Sequence, residues 1–404
     1  MEQTKTLIFM DLETTGLFDD NYSNPLINSV PPNDDLTRRL ENIIRSDSRR
    51  RPHITEISFV SIPSKLFKEA AKQLNTELVL RNSQPIDFHI PVITNIQTRQ
   101  INPQLNNSEW ANYEILRRTK PDVVKLCKED LELKNTFAEE WPGFYQMLSL
   151  APKPACLIAH NGICFDFRLL LHEIIQSDLL EKFPIPEGVY FLDTLFSLSN
   201  IESSFDNEIE ITTRNVDWKY VFTQSNEADD EIIEISEIII NKKTTDNLED
   251  IIIAPPNELQ RTPDKNRIDI EYITRKSPKR CLFGNNTINR KSHPQTPVTF
   301  MKTSNWSPAK RRRINPQFFE RNREGNWDFN SHQAKRESSG RGKRTLEALQ
   351  QRFFIKGLFT SHRAQGDAEA LLQCCLAYGE DFISYIDKNK ALFPINSFLE
   401  NSNL

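Results

Sequence analysis

Residues Leu7–Leu17 read LIFMDLETTGL, an apolar run that ends in two carboxylates two positions apart. A β-strand points successive side chains to opposite faces, so Asp11 and Glu13 project to the same side. Two neighbouring carboxylates repel unless a cation lies between them. Oxygen-only ligands suit a hard divalent ion such as Mg²⁺ or Mn²⁺, which can also hold phosphate and water. One such pair at a strand end is a weak signal, so the rest of the chain has to supply its partners.

Two further segments do so. In ACLIAHNG, residues 155–162, an apolar strand ends at His160 and Asn161, and CFDF opens a helix near Asp166. This places a carboxylate at the strand's C-terminal edge, where α/β sheets bind ligands. Taken alone, Asp166 is equally an acidic residue favoured by a helix N-terminus, and Asn161 a turn residue. In SHRAQGDAEALL, residues 361–372, His362 precedes Asp367 by five positions on a loop entering a last helix. A histidine titrates near neutrality and suits a general base. Asp11, Glu13, Asp166, His362 and Asp367 thus stand in the order D-E-D-H-D, each at the end of an expected element.

Around these residues the pattern is α/β. Strands are expected at Thr6–Met10, Ile54–Ile62, Phe88–Ile93, Ala155–Asn161 and Tyr190–Phe196. Helical spacing of Leu131, Leu133, Phe137, Trp141, Phe144 and Leu148 predicts a helix over Lys128–Leu150. Further helices are expected from Asp166, at Thr345–Phe354, and as one element over Gln365–Ile386. The domain is read as residues 1–200 and 345–395, followed by a tail, 396–404. Residues 18–52, polar and rich in Asn, Asp, Ser and Arg, read as an inserted loop. Residues 201–344, acidic and then basic, read as a largely disordered insertion.

The 404 residues carry a net charge of −5, which conceals this acidic-then-basic asymmetry. Six cysteines show no CxxC spacing and suggest neither a zinc ribbon nor a disulfide framework. No apolar run has the length of a membrane span, and the opening residues lack a signal-peptide pattern, so a cytoplasmic or nuclear protein is expected. The run Pro308–Arg313 (PAKRRR) reads as a nuclear signal, as a nucleic-acid tether, or as a solvated loop that does neither. Ser277, Thr296 and Ser307, each followed by proline, suit proline-directed phosphorylation.

Through LIFMDLETTGL, LIAHNGICFDFRLLLHEI, FLDTL and SHRAQGDAEALLQCC, the chain resembles the DEDDh exonucleases, and among them the three-prime repair exonuclease family. The resemblance covers about residues 4–17, 54–62, 128–200 and 345–395. It implies a ribonuclease-H-like mixed sheet flanked by helices and a homodimer. It also implies 3′→5′ hydrolysis of single-stranded DNA or mismatched DNA 3′ ends to nucleoside 5′-monophosphates. Asp11, Glu13, Asp166 and Asp367 would hold two Mg²⁺ ions, with His362 as general base. Leu17 would wedge against terminal bases, Glu13 and Thr14 would meet the last nucleotide, and His160, Asn161 and Phe165 would line the site. Phe165 departs from the family's usual tyrosine and lacks its hydroxyl. RNA as the substrate, or a non-catalytic nucleic-acid scaffold, are the competing readings.

Overall fold

The computed structural model describes residues 2–18, 35–46, 51–80, 85–88, 95–120, 126–218, 297, 303, 305–338, 344–355 and 363–400. The chain divides into two units, Met1–Arg214 with Thr303–Leu404, and Asn215–Lys302. The described residues of the second are only 215–218 and 297.

The centre of the first unit is a six-stranded mixed sheet. In chain order the elements are β1 (Thr6–Thr14), α1 (Leu36–Arg45), β2 (Ile54–Pro63), α2 (Ser64–Leu80), β3 (Asn95–Gln100), α3 (Asn107–Thr119), α4 (Lys128–Glu132) and α5 (Phe137–Leu150). Then come β4 (Ala155–Ala159), α6 (Asp166–Gln176), β5 (Val189–Asp193), α7 (Thr194–Asn215), α8 (Pro308–Arg311), β6 (Phe319–Arg321), β7 (Trp327–Phe329) and α9 (Ser331–Ser338). The chain closes with α10 (Leu346–Gln350), α11 (Ala364–Leu376), α12 (Gly379–Asn389), β8 (Ala391–Leu392) and α13 (Ile395–Leu399). The strand order is β3-β2-β1-β4-β5-β8. β4 runs parallel to both β1 and β5, and the other pairs are antiparallel.

Strand alternation sorts β1 between two cores. Leu7 and Phe9 belong to one, with α2, α11 and α12; Ile8, Met10 and Leu12 belong to the other, with α1, α5 and α6. Asp11 and Glu13 continue the Leu7–Phe9 stripe, so the strand's own period aims both carboxylates at the α11 side of the sheet. Across the β1–β2 ladder Asp11 faces Ser58 and Glu13 faces Glu56, and the register becomes irregular after Glu13.

Several expectations need correction. The described strand that follows β2 is Asn95–Gln100, while the strand expected at Phe88–Ile93 lies, except for Phe88, outside the described residues. Phe88 is buried outside any strand. NIQTRQ pairs through its backbone at the sheet edge and is half exposed, so it carries no apolar alternation. The loop 18–52 contains α1, capped by the Asp35 carboxylate accepting from the N–H groups of Thr37 and Arg38, with Leu40, Ile43 and Ile44 in the core. The helix expected at 128–150 is two, α4 and α5, separated by a bend at which Leu133 is 84% exposed. The single helix expected at 365–386 breaks at Gly379, whose φ of +55° is left-handed.

The largest difference concerns 201–344. α7 runs on to Asn215, and the described residues 305–338 carry α8, β6, β7 and α9. The basic run is α8 and the turn after it, laid along the acidic side of α7. Arg313 makes two bonds to Asp206, at 2.8 and 2.7 Å, and both side chains are buried. Lys310 pairs with Glu208 at 2.5 Å and stacks on Trp306, and Arg312 donates to the Arg352 carbonyl at 2.7 Å. Ser307 donates to Asp381 on α12 at 2.9 Å. The side chains of Lys310, Arg312 and Arg313 are therefore engaged by internal partners, which corrects the reading of this run as a solvated loop. Ser277 and Thr296 lie outside the described residues.

Candidate metal centre

Three of the expected carboxylates converge. One oxygen from each of Asp11, Glu13 and Asp367 lies within 4.8 Å of the others, and all three residues are half-buried. The first two come from the end of β1 and the third from the first turn of α11. Asp166, the first residue of α6, is 3% exposed and accepts the backbone N–H of Leu12, the residue between Asp11 and Glu13. Its charge acts directly on Asp11.

The electrostatics of this cleft are those of anions without enough counter-charge. Burial first, then the charges of Asp166, Asp367, Glu13 and Glu56, hold the Asp11 carboxyl well above its ordinary range. Burial and the charge of Asp193 push Asp166 up to about 8. Carboxylate oxygens set this close, in an all-oxygen donor set, fit a hard divalent cation, whose charge would relieve each of these shifts.

The turn that delivers Asp166 is built by a residue the sequence reading quoted only within FLDTL. Asp193, at the end of β5 and 1% exposed, accepts N–H groups from Asn161 (3.0 Å), Ile163 (3.0 Å) and Leu195 (2.9 Å). Burial raises its carboxyl to about 6, and those three N–H bonds pull against it. Asn161 takes a φ of +65°, a conformation asparagine tolerates. Gly162 follows because a Cβ there would lie 2.6 Å from the Phe167 ring.

The remaining expected residues divide. His160 has both ring nitrogens engaged, with the Thr194 hydroxyl at 2.9 Å and the Arg344 carbonyl at 2.8 Å, and burial lowers its pKa. Thr14 donates its hydroxyl to the Gly16 carbonyl at 2.6 Å. Leu17 is 74% exposed, as a residue that meets a ligand can be. Phe165 packs edge-on against Phe18, and Arg168 lies 3.6 Å over the Phe18 ring, so the chain leaving β1 is pinned to α6. His362 lies outside the described residues, which resume at Arg363.

A second residue missed in ITEISFVSI is Glu56, 1% exposed beside Glu13. It accepts from Arg363 and from the Ala364 N–H at the start of α11. Nothing in the alternation of that strand distinguishes a buried glutamate from a solvent-facing one.

Neither a protein-family model nor a curated protein matches the chain. Among the described residues no helix is long and apolar enough to cross a membrane.

The pKa shifts set a pH dependence. A carboxyl raised in the fold binds its proton more tightly there than in the unfolded chain. Its stabilisation is complete below the unfolded value of about 4 and is lost as pH rises through the folded value. For Asp193 and Asp166 those folded values are about 6 and about 8. The metal-free protein should therefore melt at progressively lower temperature from about pH 5 to about pH 8.5. Millimolar Mg²⁺ or Mn²⁺ should restore more at the upper end than at the lower. Scanning fluorimetry across that range checks it, and a metal effect independent of pH would contradict the assignment.

Proposed function

We propose that this chain is a divalent-metal-dependent 3′→5′ exonuclease acting on DNA ends, built on a ribonuclease-H-like sheet. The observation that carries the reading is the meeting of Asp11 and Glu13 with Asp367, residues from opposite ends of the sequence, in one acidic cleft with Asp166 beside it. A structural role alone gives no reason to crowd these carboxylates, since each raises the cost of the next. Asp11, Glu13, Asp166 and Asp367 would hold two Mg²⁺ ions. When bound, such ions supply Lewis-acid stabilisation of the charge that develops on the phosphate, and lower the pKa of a coordinated water.

The protein's own residues would do the rest. Asp166, tied to the Leu12 N–H, and Asp367, fixed by the start of α11, set where a terminal phosphate can stop. His362 would take the proton of the attacking water, so that the new P–O bond forms as the P–O3′ bond breaks. The shortened strand leaves with a protonated 3′-oxygen, and a nucleoside 5′-monophosphate is released. Leu17 and the segment Thr14–Leu17 would meet the last nucleotide, while Asn161 and Phe165 border the α6 side. His160 supports that turn through Thr194. We also propose a homodimer, present in the cytoplasm, the nucleus or both; light scattering and fractionation test these points.

Matched 5′-labelled single-stranded DNA and RNA, incubated with Mg²⁺, provide the test. Stepwise shortening of DNA that is absent from the Asp11→Ala and His362→Ala variants is expected. Faster shortening of RNA would move the substrate assignment, and equal turnover by the Asp11 variant would remove the metal assignment.

A further inference from the structure

We propose that Glu56 is a positioning residue: it sets Asp367 against Asp11 and Glu13, so that the carboxylate cleft is complete only while Glu56 holds the start of α11. This rests on the reading of the cleft as a metal centre.

Glu56 stands opposite Glu13 in the β1–β2 ladder, so its side chain leaves the same face of the sheet. Placing a second buried carboxylate beside a candidate ligand is costly unless its oxygens are satisfied. Both are. Oε1 accepts from the Arg363 guanidinium and Oε2 from the backbone N–H of Ala364, each at 2.9 Å. Ala364 is the first residue of α11, and Arg363, the preceding position, makes no side-chain cap of its own. Glu56 therefore performs from another strand the capping that helices usually obtain locally. The Asp367 N–H donates to the Arg363 carbonyl at 3.0 Å, so one helical turn separates the Glu56 anchor from the ligand carboxylate.

A second connection runs in parallel one step along the ladder. Ser58, which faces Asp11, shares a 2.8 Å hydrogen bond with Thr98 on β3, and Thr98 donates to Gln365 in the first turn of α11 at 3.4 Å. Each β1 carboxylate thus faces a β2 residue that is linked to the turn carrying Asp367. Glu56 is the stronger link, because it is fully buried and its bonds are charge-assisted. Arg363 also follows His362 directly in the sequence, so the same anchor lies one position from the expected base.

An ordinary helix cap would stabilise α11 without changing the cleft. A positioning residue changes cation affinity, because an outer partner that orients a ligand typically contributes about 10- to 100-fold to metal binding. The full-length protein with Mn²⁺ as probe separates the two, using calorimetric or electron-paramagnetic titration of the wild type, Glu56→Ala and Glu56→Gln. Hydrogen exchange at the Ala364 and Asp367 amides is followed in parallel. Glu56→Ala should bind Mn²⁺ at least about tenfold more weakly and exchange those amides faster. Glu56→Gln, which keeps an acceptor for the Ala364 N–H, should recover most of both. On an oligonucleotide substrate the alanine variant should lose kcat with KM little changed. Faster exchange with unaltered Mn²⁺ affinity would reduce Glu56 to a helix cap and overturn the proposal. A wild type that binds no Mn²⁺ would overturn the metal reading, and the exchange data would still decide whether Glu56 anchors α11.

Discussion

The Asp11→Asn variant should be inactive and, without metal, more stable than the wild type. Asparagine keeps the shape of the side chain and removes its charge from a cleft where Asp166, Asp367, Glu13 and Glu56 all oppose it. Relief of that repulsion should raise stability by about 1 kcal/mol, the scale seen when a strained functional site is relaxed. On the proposed reading, the same change would also remove one ligand of a divalent ion. A catalytic metal contributes several kcal/mol, and each 1.36 kcal/mol is tenfold in rate, so turnover should fall by about 1,000-fold or more. Thermal melting of the metal-free proteins and a nuclease assay in Mg²⁺ read the two effects separately. The combination is diagnostic. A structural carboxylate would lose stability on substitution, whereas a functional one held against its neighbours gains it. A variant destabilised with and without metal would assign Asp11 to the fold alone.

How much of the molecule was legible in the sequence depends on which forces are local. The two-residue period of LIFMDLE places Asp11 and Glu13 on one side of β1 without reference to anything else, and the structure keeps them there. Asp166 and Asp367 sit in first helical turns, as the residue patterns predict. Interactions between distant segments were not legible. Glu56 reads as one polar position in an alternating strand, and only the arrival of Arg363 and Ala364 gives it a role. Asp193 likewise acquires its function from a turn about thirty positions earlier, which it organises through backbone N–H bonds. Composition misled where it outweighed period. In LTRRLENIIR, the apolar positions 36, 40, 43 and 44 have helical spacing, yet the surrounding polar residues suggest a loop. The edge strand NIQTRQ offers no apolar signal because backbone pairing and polar side-chain contacts, not burial of apolar side chains, hold it.

The basic run is the sharpest instance of a charge pattern whose meaning depends on its partners, and replacing Arg313 by alanine should expose that dependence. The guanidinium is 8% exposed and the Asp206 side chain it grips is 1% exposed. Removing one member of such a pair leaves the other charge buried without compensation, a loss of about 3–5 kcal/mol. Against an ordinary domain stability of about 5–15 kcal/mol, this brings the fold close to its limit, and chemical denaturation should show a large fall in midpoint. Arg313→Lys should recover only part, since lysine cannot reproduce the two-pronged bond. Arg313→Ala combined with Asp206→Ala should cost less than the sum of the two single changes, because the orphaned charge is gone. Arg323, exposed in the turn between β6 and β7, supplies the control, and its alanine variant should stay within about 0.5 kcal/mol of the wild type. A DNA tether makes the opposite prediction. In that case Arg313→Ala would leave stability alone and flatten the salt dependence of binding, by close to one unit of slope per lost phosphate contact. Because its hydrogen bonds to Asp206 occupy the guanidinium in the fold, Arg313 should act on stability first, and any effect on DNA should track the fraction unfolded.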